Sequence, residues 1–261
     1  MQIARLNGLT VHWRADGPDD APALVLAHAL GTDLRLWDRL VARLPGIRCI
    51  RYDLRGHGLT QGPPGDYFMG DLVADAAALV EATAGGPCVF AGISLGGVIA
   101  QGLAAERPDL VRGLVLMDTA GKIGTPDAWA ERVATVRERG VEALADGVLE
   151  RWFPPDFRTT RADEIAGWRT MLVRTPAAGY AGCAAAIAET DLRDSTARLS
   201  LPALVIAGSE DGSTPPDLVR ELAGDIDGAR FELIKGAGHL PPIDAPDAVA
   251  DPLRAFLAGL P

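Results

Sequence analysis

The sequence predicts an α/β protein, a mostly parallel, doubly wound sheet with an inserted helical cap. Short, continuous apolar runs recur along the chain, helix-period segments alternate with them, and the alternation lapses between about residues 121 and 198. Uninterrupted apolar runs, rather than alternating ones, are what strands covered on both faces require.

The runs are Leu9–Arg14, Ala23–Ala27, Ile47–Arg51, Pro87–Gly92, Leu110–Asp118, Ala203–Gly208 and Ala229–Ile234. Segments 71–84, 95–106 and 248–257 carry apolar residues at helical spacing between or after them. From Gly121 to Arg198 the chain is rich in Ala, Arg and Glu, broken by Phe153-Pro154-Pro155, Thr175-Pro176 and Gly179, with no strand pattern. An insertion at that point can lie over the carboxyl ends of the strands, where open sheets bind ligands. The expected division is a core of residues 1–120 and 199–261 and a helical cap of residues 121–198.

A chain of 261 residues that is 48% hydrophobic and 23% charged can bury a full core and should fold throughout. Its net charge of −10 argues against a nucleic-acid partner, because binding a phosphate backbone needs a positive face. An anionic substrate would need cationic side chains placed locally in its pocket. Cys49, Cys88 and Cys183 are odd in number and far apart, so they read as buried small hydrophobes rather than a disulfide framework or zinc site. The N-terminus lacks an apolar run behind a basic start, and no stretch reaches the roughly eighteen apolar residues of a membrane span, which predicts a cytoplasmic protein without a membrane partner. No clustered His/Cys ligands and no dinucleotide fingerprint occur, so no metal or cofactor is expected.

Gly92-Ile93-Ser94-Leu95-Gly96-Gly97 stands between an apolar run and a helical segment, the context that gives a G-x-S-x-G match meaning. The serine must sit on a sharp, unfavourable turn, and Gly92 and Gly96 remove the side chains that would keep strand and helix apart. Ser94 is thus the candidate nucleophile, and the Leu95 amide behind it, at a helix start, can hold a developing oxyanion. The plain alternative is a Gly/Ser turn with Ser94 as an ordinary cap. A second oxyanion donor is expected in the loop His28-Ala29-Leu30-Gly31-Thr32-Asp33, with the Leu30 amide as candidate and His28 shaping the loop. Ala29 stands where glycine is usual, so the backbone there must suit a residue with a β-carbon.

Serine is a poor nucleophile at neutral pH and needs a base that takes and returns its proton; imidazole titrates in the right range. Of four histidines, His239 lies in a loop, Gly236-Ala237-Gly238-His239-Leu240-Pro241, between the final strand run and the last helical segment. His12, in an early strand, and His57, in a turn, read as structural. The base in turn needs an acceptor at its other nitrogen, and Asp211 follows the run Leu204–Gly208, giving the chain order serine, acid, histidine. Asp118, at the end of the preceding strand run, is the rival acid, and a solvated loop carboxylate is the plain alternative for Asp211. Glu210 adjoins Asp211 and is expected to reach elsewhere.

Several segments resemble the 3-oxoadipate enol-lactonases of the α/β-hydrolase superfamily, and the similarity runs over nearly the whole chain. They include Leu30-Gly31-Thr32-Asp33, Arg51-Tyr52-Asp53-Leu54-Arg55-Gly56-His57-Gly58, Asp118-Thr119-Ala120-Gly121-Lys122-Ile123-Gly124, Arg151-Trp152-Phe153 and Gly179-Tyr180-Ala181-Gly182. The Arg-Gly-His-Gly loop is general to the superfamily, whereas the Lys-Ile-Gly and Arg-Trp-Phe segments are more specific to the lactonases. The pair His28-Ala29 departs from that pattern. The resemblance implies a five-membered enol-lactone bearing a carboxylate as substrate, opened to 3-oxoadipate through an acyl-enzyme on Ser94. For that substrate Arg151 is the candidate grip on the carboxylate, Trp152 the cover of the ring and Lys122 a candidate pocket cation, the plain alternatives being Arg151 capping a helix, Trp152 in the core and Lys122 in solvent.

A carboxylesterase, a cofactor-free perhydrolase of the haloperoxidase type or a carbon–carbon bond hydrolase would use the same serine and differ in pocket shape. A non-catalytic receptor built on this fold is the alternative from another class. Nothing in the sequence speaks to oligomeric state.

Overall fold

The computed structural model describes residues 1–260. Eight strands form one sheet: β1 (Gln2–Leu6), β2 (Leu9–Asp16), β3 (Ala23–Ala27), β4 (Arg48–Tyr52), β5 (Cys88–Ile93), β6 (Val111–Met117), β7 (Ala203–Gly208) and β8 (Arg230–Ile234). Their order is β1-β2-β4-β3-β5-β6-β7-β8. The β1–β2 and β2–β4 pairs are antiparallel and every later pair is parallel.

Every residue of β3, β5 and β7 is buried. Successive side chains of a strand point to opposite faces, so burial of all of them means the sheet is covered on both sides. The helices outside the inserted stretch are α1 (Asp38–Val41), α2 (Met69–Thr83), α3 (Leu95–Glu106), α10 (Pro216–Asp225), α11 (Pro241–Asp244) and α12 (Pro246–Ala258), of which α2, α3, α10 and α12 pack on strands. Helix α2 packs on α3, and α1 on α12. The doubly wound, mostly parallel sheet expected from the sequence is the observed architecture.

Strand β1 has no counterpart among the predicted strands. It carries one side of an edge hairpin, most of its residues face solvent, and so it lacks an apolar run. The legible signal lay in its turn: Asn7 and Gly8, both at positive φ (45° and 76°), form the Asn-Gly corner that matches the twist of paired strands.

Between β6 and β7 the described residues hold helices and no strand: α4 (Pro126–Arg139), α5 (Ala145–Trp152), α6 (Pro155–Thr160), α7 (Ala162–Val173), α8 (Ala177–Ala188) and α9 (Arg193–Thr196). Helix α4 packs along α8. Several contacts fasten this layer to the sheet loops, two of them between backbones at the starts and ends of helices. At the start of α8 the backbones of Gly179 and Gly56 touch, so closely that a β-carbon on Gly179 would lie 2.1 Å from the Gly56 carbonyl oxygen. At the end of α5 the Arg151 and Trp152 carbonyls accept hydrogen bonds from the Gly212 and His239 amides, at 3.2 and 2.9 Å.

Candidate active site

Ser94 sits between the end of β5 and the first residue of α3 with φ 54° and ψ −119°, a conformation that is costly for a residue with a β-carbon. The turn persists because its surroundings fix it. The Ser94 amide donates to the Met117 carbonyl at 3.0 Å, and the Ser94 carbonyl accepts from the Gly97 and Val98 amides and from the Thr119 hydroxyl. A β-carbon on Gly92 would stand 2.0 Å from the Gly96 carbonyl oxygen, and one on Gly96 would stand 2.1 Å from that of Ala27. Strand, helix and the neighbouring strand β3 thus meet at a distance only glycine permits, as the G-x-S-x-G spacing requires. Ser94 remains partly accessible amid buried neighbours.

His239 and Asp211 come together in loops beyond the ends of β8 and β7. The imidazole Nδ1–H donates to Asp211 Oδ2 at 2.8 Å, and both side chains are almost fully buried. Asp211 is further held by the Thr214 hydroxyl on Oδ2 at 2.6 Å and by the Ser213 and Thr214 amides on Oδ1 at 2.6 and 3.1 Å. Burial alone would raise this carboxyl; the charge of His239 and the converging donors outweigh it and hold Asp211 below the ordinary carboxylate range. Glu210 is exposed. Ser94 and His239 face the same cavity of about 200 Å³, walled on the helical side by Trp129, Arg132, Arg151, Trp152 and Tyr180.

Leu30 lines the same cavity. Its neighbours are committed elsewhere: the Gly31 amide donates to His57 Nε2 at 3.0 Å, and the Thr32 amide to the Ala29 carbonyl at 3.1 Å. Leu95, as the first residue of α3, has an amide without an acceptor inside the helix. Ala29 is absent from the residues at positive φ, so the backbone there accommodates its β-carbon.

His28 and His57 lie under this loop as neutral struts. His28 Nδ1–H donates to the Ala29 carbonyl at 2.8 Å while Nε2 accepts from the Leu54 amide at 2.9 Å. His57 Nδ1–H donates to the Arg55 carbonyl while Nε2 takes the Gly31 amide. Burial lowers the affinity of both for a proton, pushing His57 down to about 3 with help from the neighbouring His28. His12 is likewise structural: its Nδ1 bonds Asp53 at 2.7 Å, and the other bonds of that carboxylate hold the Leu34 and Leu59 amides.

Of the three residues expected to bind substrate, Arg151 and Trp152 line the cavity and Lys122 does not. The Gly121 carbonyl accepts from the Leu192 amide, which draws this stretch toward the α8–α9 connection, and Lys122 Nζ pairs there with Asp191 at 3.3 Å. The second cation of the cavity is instead Arg132, which sequence reasoning missed. Its guanidinium lies 4.8 Å from the Trp129 ring centroid, and both side chains reach the cavity from α4. The available signal was Trp129 and Arg132 at i, i+3 on one helix face, a spacing too common in surface helices to stand out. Among the described residues neither Arg132 nor Arg151 forms an ion pair. Burial, then the charge of Arg132, lowers the Arg151 pKa, the reverse of what a carboxylate partner would do.

Residues 24–251 match the alpha/beta hydrolase family. The chain is 33% identical over 250 residues to 3-oxoadipate enol-lactonase 2 of Acinetobacter baylyi, covering 95% of this chain and 93% of that one. The crystal structure of the enol-lactonase from Burkholderia xenovorans LB400 superposes with a TM-score of 0.95 at 38% identity, covering 98% of this chain and all of that one (100%). A malate-bound thermophilic esterase from Thermogutta terrifontis gives a TM-score of 0.93 at 29% identity, over 99% of this chain and 98% of the other. The chain therefore belongs to the alpha/beta hydrolase family, and the enol-lactonases are among the relatives it resembles over nearly its full length.

Proposed function

We propose that this chain is a cofactor-independent serine hydrolase that opens 3-oxoadipate enol-lactone to 3-oxoadipate in the cytoplasm. The observation that carries the reading is one small cavity holding four things together: a serine on a strained turn, an imidazole paired to a carboxylate, amides free to receive an oxyanion, and two arginines without carboxylate partners. The first three serve acyl transfer; the arginines suit a substrate that carries a carboxylate of its own. Relatives named 3-oxoadipate enol-lactonases support the same substrate.

In this reading Ser94 Oγ attacks the ring carbonyl as His239 takes its proton, and the Leu30 and Leu95 amides hold the oxyanion. Asp211 fixes the imidazole tautomer and stabilises the imidazolium. Collapse of the tetrahedral adduct expels the ring oxygen as a resonance-stabilised enolate, which takes the proton from the His239 imidazolium and tautomerises to the ketone, leaving His239 neutral. Water, deprotonated by His239, then releases the acid from Ser94. Arg132 and Arg151 grip the substrate carboxylate, and Trp152 covers the ring. Residues 121–198 act as a cap that supplies this specificity wall, while residues 1–120 and 199–261 supply the reacting groups.

A carboxylesterase acting on small carboxylated esters is the second reading, favoured by the similarity to the malate-bound esterase. Turnover of purified enol-lactone and of p-nitrophenyl acetate, by wild type and Ser94→Ala, separates the two. The lactonase reading expects enol-lactone to be the far better substrate, with a loss of at least about ten-thousandfold in Ser94→Ala. Ester turnover without lactone turnover would replace it by the esterase, and no turnover of either, with no labelling of Ser94 by a fluorophosphonate, would leave a receptor.

A further inference from the structure

We propose that Asp118 is a positioning residue that donates a carboxyl O–H to Asp211, bracing from behind the acid that faces His239. Its effect on turnover rests on the serine-hydrolase reading; its placement rests on geometry alone.

Asp118 directly follows β6 with φ 42°. The other non-glycine residues at positive φ among those described are Asn7, the corner of the edge hairpin, and Ser94. Asp118 is held in this unfavourable region by its amide, which donates to the Ile206 carbonyl at 2.9 Å, and by Oδ1, which accepts from the Gly208 amide at 2.8 Å. The side chain is fully buried, and Oδ2 has no donor facing it among the described residues. A carboxyl oxygen of Asp118, one of Asp211 and a ring nitrogen of His239 all lie within 4.8 Å of one another. The two carboxyls therefore adjoin, and among the described residues that cluster holds nothing but Asp211 and His239 for Asp118 to meet.

Two carboxylates cannot bond each other, since each only accepts, and two negative charges this close in a dry site repel strongly. One proton between them resolves both problems and satisfies the otherwise unpartnered Oδ2. Its location follows from the donors. Asp211 receives four hydrogen bonds, from Ser213, two from Thr214, and one from His239, all of which favour its charged form. Asp118 receives one, from Gly208. The charge therefore belongs on Asp211 and the proton on Asp118. Burial and then the charge of Asp211 push Asp118 well above the carboxylate range, in the same sense. The remaining titratable group nearby, Asp244, is bound by the Gly238 amide and is raised by burial to about 7.

The test compares Asp118→Asn with Asp118→Ala, using p-nitrophenyl acetate so that lactone specificity does not enter. Asparagine keeps an acceptor for Gly208 and an N–H for Asp211, so kcat is expected within about threefold of wild type and the acid limb of kcat/KM unmoved. Alanine removes the donor: kcat is expected to fall roughly tenfold to a hundredfold with little change in KM, and the acid limb to move to higher pH as Asp211 becomes a stronger acceptor. An acid limb that moves to lower pH in Asp118→Asn would mean an ionised Asp118 and overturns the proposal, as does wild-type behaviour of Asp118→Ala. Should Asp118→Ala fail to fold, infrared difference spectra of wild type against Asp118→Asn decide, taken at about pH 9, where Asp244 is ionised. The carbonyl band of a protonated acid is expected in wild type and its absence overturns the proposal. Ser94→Ala with undiminished turnover would refute the hydrolase reading while leaving that spectroscopic answer intact.

Discussion

Arg132 and Arg151 face a cavity in a protein whose net charge is −10, and Arg137, Arg161, Arg169 and Arg193 of the same helical layer are paired with carboxylates whereas these two are not. Two half-buried cations facing one small cavity favour an anionic ligand there. Replacing either by alanine is expected to lower kcat/KM for the carboxylated lactone by roughly tenfold to a hundredfold, and that for p-nitrophenyl acetate by less than about threefold. Lys122→Ala is expected to change neither, and steady-state kinetics on both substrates checks all three. Equal losses on the two substrates would assign the arginines to shaping the cavity instead. At this scale the strained turn at Ser94 and the pairing of His239 with Asp211 were legible, because glycine spacing and placement in loops after strands are local features of the sequence. The choice between Arg132 and Lys122 was not, since it depends on which way each backbone turns.

Among the elements, the helical layer depends on the backbone contact between α8 and the Gly56 turn. Gly179→Ala places a β-carbon 2.1 Å from the Gly56 carbonyl oxygen, and backbone cannot yield there as a side chain would. A loss of about 1–3 kcal/mol of stability is expected, with a raised KM for the lactone because the wall carrying Arg132 and Arg151 shifts. Thermal unfolding and lactone kinetics on this variant measure the two effects; wild-type values for both would show that the layer is not held at this point. Periodicity located the insertion, since six helices without a strand leave an obvious gap in the alternation. Periodicity overlooked β1, whose residues face water and need no apolar pattern to pair, although its Asn7-Gly8 corner was readable.

For the molecule as a whole, dense burial makes the cysteines and one acid sensitive to unfolding. Cys49, Cys88 and Cys183 are free and buried, and burial raises all three thiols, Cys49 and Cys88 to about 12. A thiol reagent at neutral pH is therefore expected to label them only when the chain opens globally, at a rate that rises with denaturant. Rapid labelling in the native state would contradict the core packing. Asp244, raised to about 7, binds its proton more tightly folded than unfolded, so its contribution is greatest in acid and falls as pH rises from about 4 to 7. Asp244→Asn is expected to raise the melting temperature relative to wild type at pH 8 more than at pH 5, which a pair of thermal melts would check. By itself the sequence determined the layered α/β architecture, the site of the helical insertion and the serine on its turn, because apolar periodicity and glycine placement are local consequences of burial and backbone sterics. Only the tertiary structure decided that Arg132 rather than Lys122 joins Arg151, and which backbone groups His28 and His57 hold. Those choices depend on where side chains remote in the chain converge, and convergence is set by packing that no local pattern encodes.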